Sequence, residues 1–264
     1  LRYIRPLNPP DKSFTEDPVR MLRAVKYKAI LDCDIDNKVL KKIKKYAKEL
    51  KTASIARLHE EINKILKSGN SKAILLEFYE TTILENLIPF LHEDFKTDLK
   101  DKIVNYIEKY DTMVSIYGSQ DFDLFWGIVL FFRLESEGID NKDLEYIEKC
   151  NNFFMKYLFP LKVPNKVSDI LSKSFYLISK LKDKSSISNY RKIINHKYFH
   201  EALFLFKIIS SDEQLVKFWD SKRGKTNFYT NPKNKRQNKA KKDRNFFKKV
   251  ITTKNYNTTV NQPD

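Results

Sequence analysis

Glycine is scarce in this chain, five residues in 264, and the scarcity removes several functional classes at once. No P-loop, dinucleotide-binding fingerprint or Gly-x-Ser-x-Gly elbow is present. There is no Asn-Gly hairpin and no sustained alternation of apolar and polar residues, so a sheet-based fold is not indicated. Cysteine is rarer still. Cys33 and Cys150 stand alone without Cys-x-x-Cys spacing, which excludes a disulfide framework and a zinc ribbon and suits a reducing compartment. Long apolar runs are absent too. The longest, Phe125 to Phe132, is too short to cross a bilayer, and no signal-peptide pattern is seen. The expectation is a cytoplasmic protein with no membrane partner.

Metal-binding patterns fail on inspection. His59-Glu60 opens like a zincin motif, but Asn63 occupies the position of the second histidine. His196 and His200, four apart on one expected helix, lack a third ligand. No metal site is expected in this chain.

What the chain does have is lysine, leucine and glutamate at helical spacing, which predicts an all-α fold. Leu1 to Thr15, with Pro6, Pro9 and Pro10, reads as non-helical, Tyr3 and Ile4 ending a strand that belongs to a preceding part. Helices are predicted from Pro18 to about Leu31 and from Asp34-Ile35-Asp36 onward, the latter with Val39, Leu40, Ile43, Tyr46 and Ala47 inward and lysines from Lys38 to Lys51 outward. Ser54 caps a helix with the stripe Ile55, Leu58, Ile62, Ile65 and Leu66, ended by Gly69. Further helices follow over Ala73–Tyr79, Phe95–Tyr117, Asp121–Leu134, Leu144–Phe159, Val163–Leu181, Ile187–Ile194 and Phe199–Ile209. Asp121–Leu134 is apolar almost all round and is the candidate core helix; its aromatics read as packing, not as base-stacking platforms. After Trp219 the pattern stops.

One short stretch concentrates possible chemistry, Thr15-Glu16-Asp17-Pro18-Val19-Arg20-Met21-Leu22-Arg23-Ala24. Pro18 suits a first helical position, which places Asp17 at the N-cap. Asp17, Arg20 and Arg23 then recur every three residues along one face, while Val19, Leu22, Val25 and Ile30 face elsewhere and pack. A carboxylate acceptor beside a guanidinium donor can address the Watson–Crick edge of a base. Spacing alone favours the plainer reading, in which Asp17 is a cap and Arg20 a solvated surface residue.

The run from Asn8-Pro9 to Ala24 resembles the junction that follows the catalytic head in bacterial poly(A) polymerases and CCA-adding enzymes, template-independent RNA nucleotidyltransferases of the DNA polymerase beta superfamily. The resemblance implies that Asp17 and Arg20 match the family's nucleotide-recognising pair, with Glu16 beside them and Arg23 matching a triphosphate contact. A second similarity, at Ser54–Leu66, places Arg57 and Glu61 at the family's Arg-x-x-x-Glu spacing, as support for that motif. Leu7-Asn8 and Ser13 depart from the family's usual Gly-Asp and Arg. Weaker similarity at Pro160–Pro164 and Tyr198–Ala202 favours the poly(A) polymerase branch over CCA addition.

The resemblance implies an elongated neck-and-body bundle: residues 1–15 ending a missing head, 16–90 a neck of nucleotide-recognition and RNA-binding helices, 91–221 a helical body, and 222–264 a basic disordered tail. From Lys222 to Lys254 there are thirteen Lys or Arg against the single acid Asp243, twelve of the sixteen net positive charges. Lys235, Arg236, Lys239, Lys241, Lys242 and Arg244 are the candidate phosphate contacts; a merely solubilising tail is the other reading. Two-metal phosphoryl transfer needs a carboxylate pair on adjacent strands, which in the resembled family lies in the head and which this sequence lacks. Because it begins at Leu1 in the middle of the family pattern, the chain reads as a fragment or split product. ATP is then expected as substrate and Mg²⁺ only together with the head, supplied in cis or in trans. An RNA 3′ end, of mRNA or tRNA, is the expected partner. The reading from another class is a stand-alone helical RNA-binding or adaptor protein without catalysis.

Overall fold

The spacing of apolar residues turns into helices almost everywhere it predicts them, and four further helices form where it predicts none: Pro10–Glu16, Ile83–Leu87, Pro89–Asp94 and Glu213–Lys222. The computed structural model describes residues 2–31, 33–118, 123–139, 145–158 and 161–223. The chain divides into Leu1–Lys225 and Thr226–Asp264, and the described residues all belong to the first unit. The basic tail from residue 224 on, with all six of its candidate phosphate contacts, lies outside them, as do Asp121, Phe122, Leu144, Phe159 and Pro160.

Among the described residues there are fourteen α-helices, so the protein is all-α. They are α1 (Pro10–Glu16), α2 (Val19–Ile30), α3 (Asn37–Tyr46), α4 (Ile55–Leu66), α5 (Ser71–Glu80), α6 (Ile83–Leu87), α7 (Pro89–Asp94) and α8 (Leu99–Tyr117), followed by α9 (Asp123–Ser136), α10 (Tyr146–Leu158), α11 (Asn165–Lys182), α12 (Tyr190–Ile194), α13 (Phe199–Ile209) and α14 (Glu213–Lys222). Short 3₁₀ turns at Ala47–Thr52 and Lys184–Asn189 bridge neighbouring helices. Gly69, with φ of 71°, provides the left-handed residue after α4.

The beginning of the chain corrects the sequence reading. The segment expected to be non-helical contains α1, because Pro10 stands in the first turn, where a missing N–H costs nothing. Tyr3–Ile4 has a partner within this chain. It forms β1, pairing in parallel with β2 (Asp34–Ile35) in register Tyr3 to Asp34 and Ile4 to Ile35. Ile30 and Ile55, both assigned to packing faces, are 39% and 36% exposed.

Two helices organise the core. On α2, Val19, Met21, Leu22 and Val25 are buried against α4 and α5. On α9, Leu124 to Phe131 are all buried. Gly127 is what lets α11 and α13 approach α9: a Cβ there would stand 2.9 Å from Leu171 Cδ2 and 3.2 Å from Phe175 Cε2.

Polar contacts tie the helices before Pro89 to those after it. Asp111 of α8 accepts hydrogen bonds from the Ser71 and Lys72 backbone N–H groups at 2.9 and 2.8 Å, so one helix caps another. Burial pushes its carboxyl above the usual range, and the two N–H bonds only partly oppose that. Tyr110 Oη donates to the Leu66 carbonyl at 3.1 Å. Beyond Pro89, Arg133 of α9 donates to Asp94 at 2.8 Å and to the Phe90 carbonyl at 3.1 Å, joining α9 to α7.

Candidate nucleotide-recognition site

Asp17 occupies the two-residue corner between α1 and α2. It is the C-cap of α1, outside the helix by backbone geometry with φ of −147° and ψ of 89°, and its N–H donates to the Ser13 carbonyl. Pro18, not Asp17, takes the position before α2, and no side chain caps that helix. The expected N-cap is therefore corrected: a helix ending immediately upstream aims the Asp17 carboxylate sideways instead of back along α2. Ser54 shows the same loss, occupying the cap position of α4 without a side-chain hydrogen bond. Asp36 does cap, accepting from Lys38 N–H at 2.9 Å.

The Asp17 carboxylate meets two guanidiniums. Arg57 Nη2 donates to Oδ2 at 2.7 Å, and Arg20 Nε approaches the same oxygen at 3.6 Å. Asp17 is 6% exposed, whereas the Arg20 and Arg57 side chains are 41% and 50% exposed. The corner thus presents two cationic, planar donors over a buried anion. Arg20 is further held by Ser13 of α1, Nη1 to Oγ at 3.2 Å, with the Glu16 carboxylate 3.7 Å away. A buried anion held by rigid forks fixes both donors in position, which a flexible surface arginine could not achieve.

One turn further along α2 lies a second cluster with the opposite centre. Glu61 of α4 is buried and accepts from Arg23 Nε at 3.0 Å and from Lys26 Nζ; Lys64 adds a contact at 3.9 Å. Burial by itself would raise the Glu61 carboxyl, but the hydrogen bonds from Lys26 and Arg23 outweigh it and hold it below its ordinary value. Arg23, in turn, is held more firmly protonated, first by its bond to Glu61. Glu61 thereby bridges two cations, leaving the cluster net positive, and orients Arg23, whose side chain stays 40% exposed.

The second helix turn is where the sequence reading was incomplete. Lys26 continues the three-residue series Asp17, Arg20, Arg23, and that continuation was the available signal for it. Ser13 and the anchor of α1 on α3, with Asp11 bound by Lys42 at 2.6 Å and Tyr46 at 2.7 Å, carried no comparable signal. The two hydrogen bonds keep the Asp11 carboxyl below its usual range.

The remaining candidates do not gather into a site. His196 lies in the turn after α12 and His200 within α13, so they do not share a helix as expected. His59 bonds instead to the Leu161 carbonyl. Among the described residues no three His, Cys, Asp or Glu side chains converge as metal ligands; these residues do not fit the Mg²⁺ site that nucleotidyl transfer calls for. No described helix is long and apolar enough to cross a membrane.

An all-helical module that presents two guanidiniums over a buried carboxylate can hydrogen-bond planar polar and anionic groups. Known proteins resemble parts of the chain. Residues 32–95, which span β2 to α7 and contribute Arg57 and Glu61, match the family described as "Probable RNA and SrmB-binding site of polymerase A". A CCA-adding enzyme of Ligilactobacillus salivarius is 29% identical over 161 residues, covering 59% of this chain and 35% of its own length. Poly(A) polymerase I of Salmonella typhimurium is 35% identical over 92 residues, covering 35% of this chain and 20% of its own length. A CCA-adding enzyme of Limosilactobacillus reuteri is 35% identical over 82 residues, covering 31% and 20%. Over these stretches the chain is similar to poly(A) polymerases and CCA-adding enzymes, and residues 32–95 carry the RNA-binding region that the family model describes. It spans about a third of the first of these relatives and a fifth of the other two.

Proposed function

We propose that this chain is the nucleotide-recognising and RNA-holding part of a template-independent RNA 3′-end nucleotidyltransferase, with a poly(A) polymerase adding AMP from ATP as the activity of the whole protein. The observation that carries the reading is the Asp17 corner. Arg20 and Arg57 both address Oδ2, while Oδ1 has no hydrogen-bond partner among the described residues. An adenine edge needs one acceptor for its exocyclic amino group and one donor for its ring nitrogen, and Oδ1 with the Arg20 guanidinium supplies them. Arg23, oriented by Glu61 on the next turn, is placed for phosphate. The catalytic carboxylates and Mg²⁺ belong to a head domain acting in cis or in trans, and the cytoplasm is where such a protein would meet RNA and ATP.

CCA addition to tRNA is the second reading, favoured by the longer alignment with a CCA-adding enzyme. The basic tail, suited to unstructured RNA, favours polyadenylation. A headless adaptor that only binds RNA is the third, and it predicts no dependence of any tailing reaction on Asp17.

The test uses a protein that includes the head. Asp17→Asn retains the size but turns an anionic acceptor into an amide. We expect incorporation of ATP to fall roughly ten- to a hundred-fold, the equivalent of about 1.5–3 kcal/mol, and discrimination between ATP and CTP to blur. A purely structural role would lower use of both nucleotides equally and leave their ratio intact. Running the reaction on tRNA and on unstructured RNA separates the two tailing activities.

A further inference from the structure

We propose that the outer face of α3, with the 3₁₀ turn that continues it, is a structured phosphate-binding surface that holds the RNA strand next to the Asp17 corner. The proposal rests on the reading of residues 32–95 as RNA-binding and names the surface that does the binding.

Val39 and Ile43 bury one side of α3. At about 100° per residue, Lys38, Lys41, Lys44 and Lys45 fall on the opposite arc, and Lys48 and Lys51 extend the row through the turn. All six are exposed. None of them has an ion-pair partner among the described residues, although Lys42, on the flank, pairs with Asp11. About half of the other exposed lysines among the described residues are paired, as Lys64 is with Glu60 and Lys96 with Glu93, and the unpaired ones form no comparable row on one helix. A row of six unmatched cations in about four turns repels itself and is stabilised by an external polyanion.

Position favours RNA as that polyanion. The face lies inside the matched RNA-binding region. Lys42 and Tyr46 fasten α3 to Asp11, and Asp17 is six residues further along the same short segment, about 9 Å by helical rise. A strand lying on the lysines therefore has its end within a few nucleotides of the base-reading corner.

The experiment measures binding of the full 264-residue chain to a fluorescent oligoadenylate across a salt series. Lys38→Gln, Lys41→Gln, Lys44→Gln and Lys45→Gln are combined; glutamine retains helix propensity, so the fold is expected to persist. The corresponding four-arginine variant preserves charge, and Lys96→Gln serves as the control. Loss of about 0.7 in the slope of log affinity against log salt per lost contact, with arginine restoring it and the control unchanged, supports the proposal. An unchanged slope in the glutamine variant overturns it, as does a glutamine variant that loses binding to phosphatidylserine vesicles while keeping the oligoadenylate slope. Failure of the wild-type chain to bind RNA at low salt would overturn the parent reading instead, and is seen before any variant is made.

Discussion

Arg57 reaches across forty positions of sequence to donate its Nη2 to Asp17 Oδ2 at 2.7 Å. The contact joins α4, inside the matched RNA-binding region, to the corner between α1 and α2, outside it. It makes the orientation of Asp17 a property of tertiary packing and not of the helix it precedes.

Arg57→Ala should therefore disturb the corner by removing one of its two donors. Arg20 remains to face the buried carboxylate, and Arg57 is half exposed, so the loss of stability is expected at about 1–2 kcal/mol. In a protein with the head, nucleotide selectivity should fall along with it. Melting and the ATP-to-CTP ratio check the two effects separately; a lower melting point with an intact ratio would assign Arg57 to packing alone.

Glu61→Gln should destabilise by leaving Lys26 and Arg23 without their anion. It also has a pH signature. The folded-state pKa of Glu61 lies below its ordinary 4.5, so the unfolded chain binds the proton more readily. The stability Glu61 contributes is full above about 4.5 and is lost as pH falls through the lower folded value. Wild type should lose stability more steeply than the variant in that acid window, as measured by denaturant unfolding at several pH values. Asp111, raised by burial, acts in the opposite direction and is common to both proteins.

Deleting residues 224–264 should weaken RNA binding and flatten its salt dependence, by about 0.7–0.9 per phosphate contact removed. Fluorescence titration against salt measures it. An unaltered slope would leave the tail as a solubilising segment.

The purified chain by itself should not extend RNA with ATP and Mg²⁺, because nothing in its sequence supplies a two-metal carboxylate pair. A gel assay with labelled oligoadenylate suffices. Template-independent tailing by residues 1–264 would place the active site within this chain.

Helix identity was legible because it rests on spacing. The stripes on α4 and α8 are periodic over ten or more residues and burial largely follows them, Ile55 apart, while α9 is apolar and buried almost all round. The opening segment was misread for a local reason: three prolines suggest irregular chain, yet Pro10 in a first turn is compatible with a helix. Asp17-Pro18 likewise has the composition of a cap, and only the presence of α1 turns the carboxylate away from that role.

By itself the sequence determined the all-helical class, the series Asp17, Arg20, Arg23 along one face, and the Arg57–Glu61 spacing on another. Periodicity is a one-dimensional property, and each of these follows from 3.6 residues per turn. Only the tertiary structure decided that the two faces meet, with Arg57 on Asp17 and Glu61 between Arg23 and Lys26. Partners forty residues apart are chosen by how α2 and α4 pack, and neither burial of a carboxylate nor the identity of its cation is written in the local pattern that carries it.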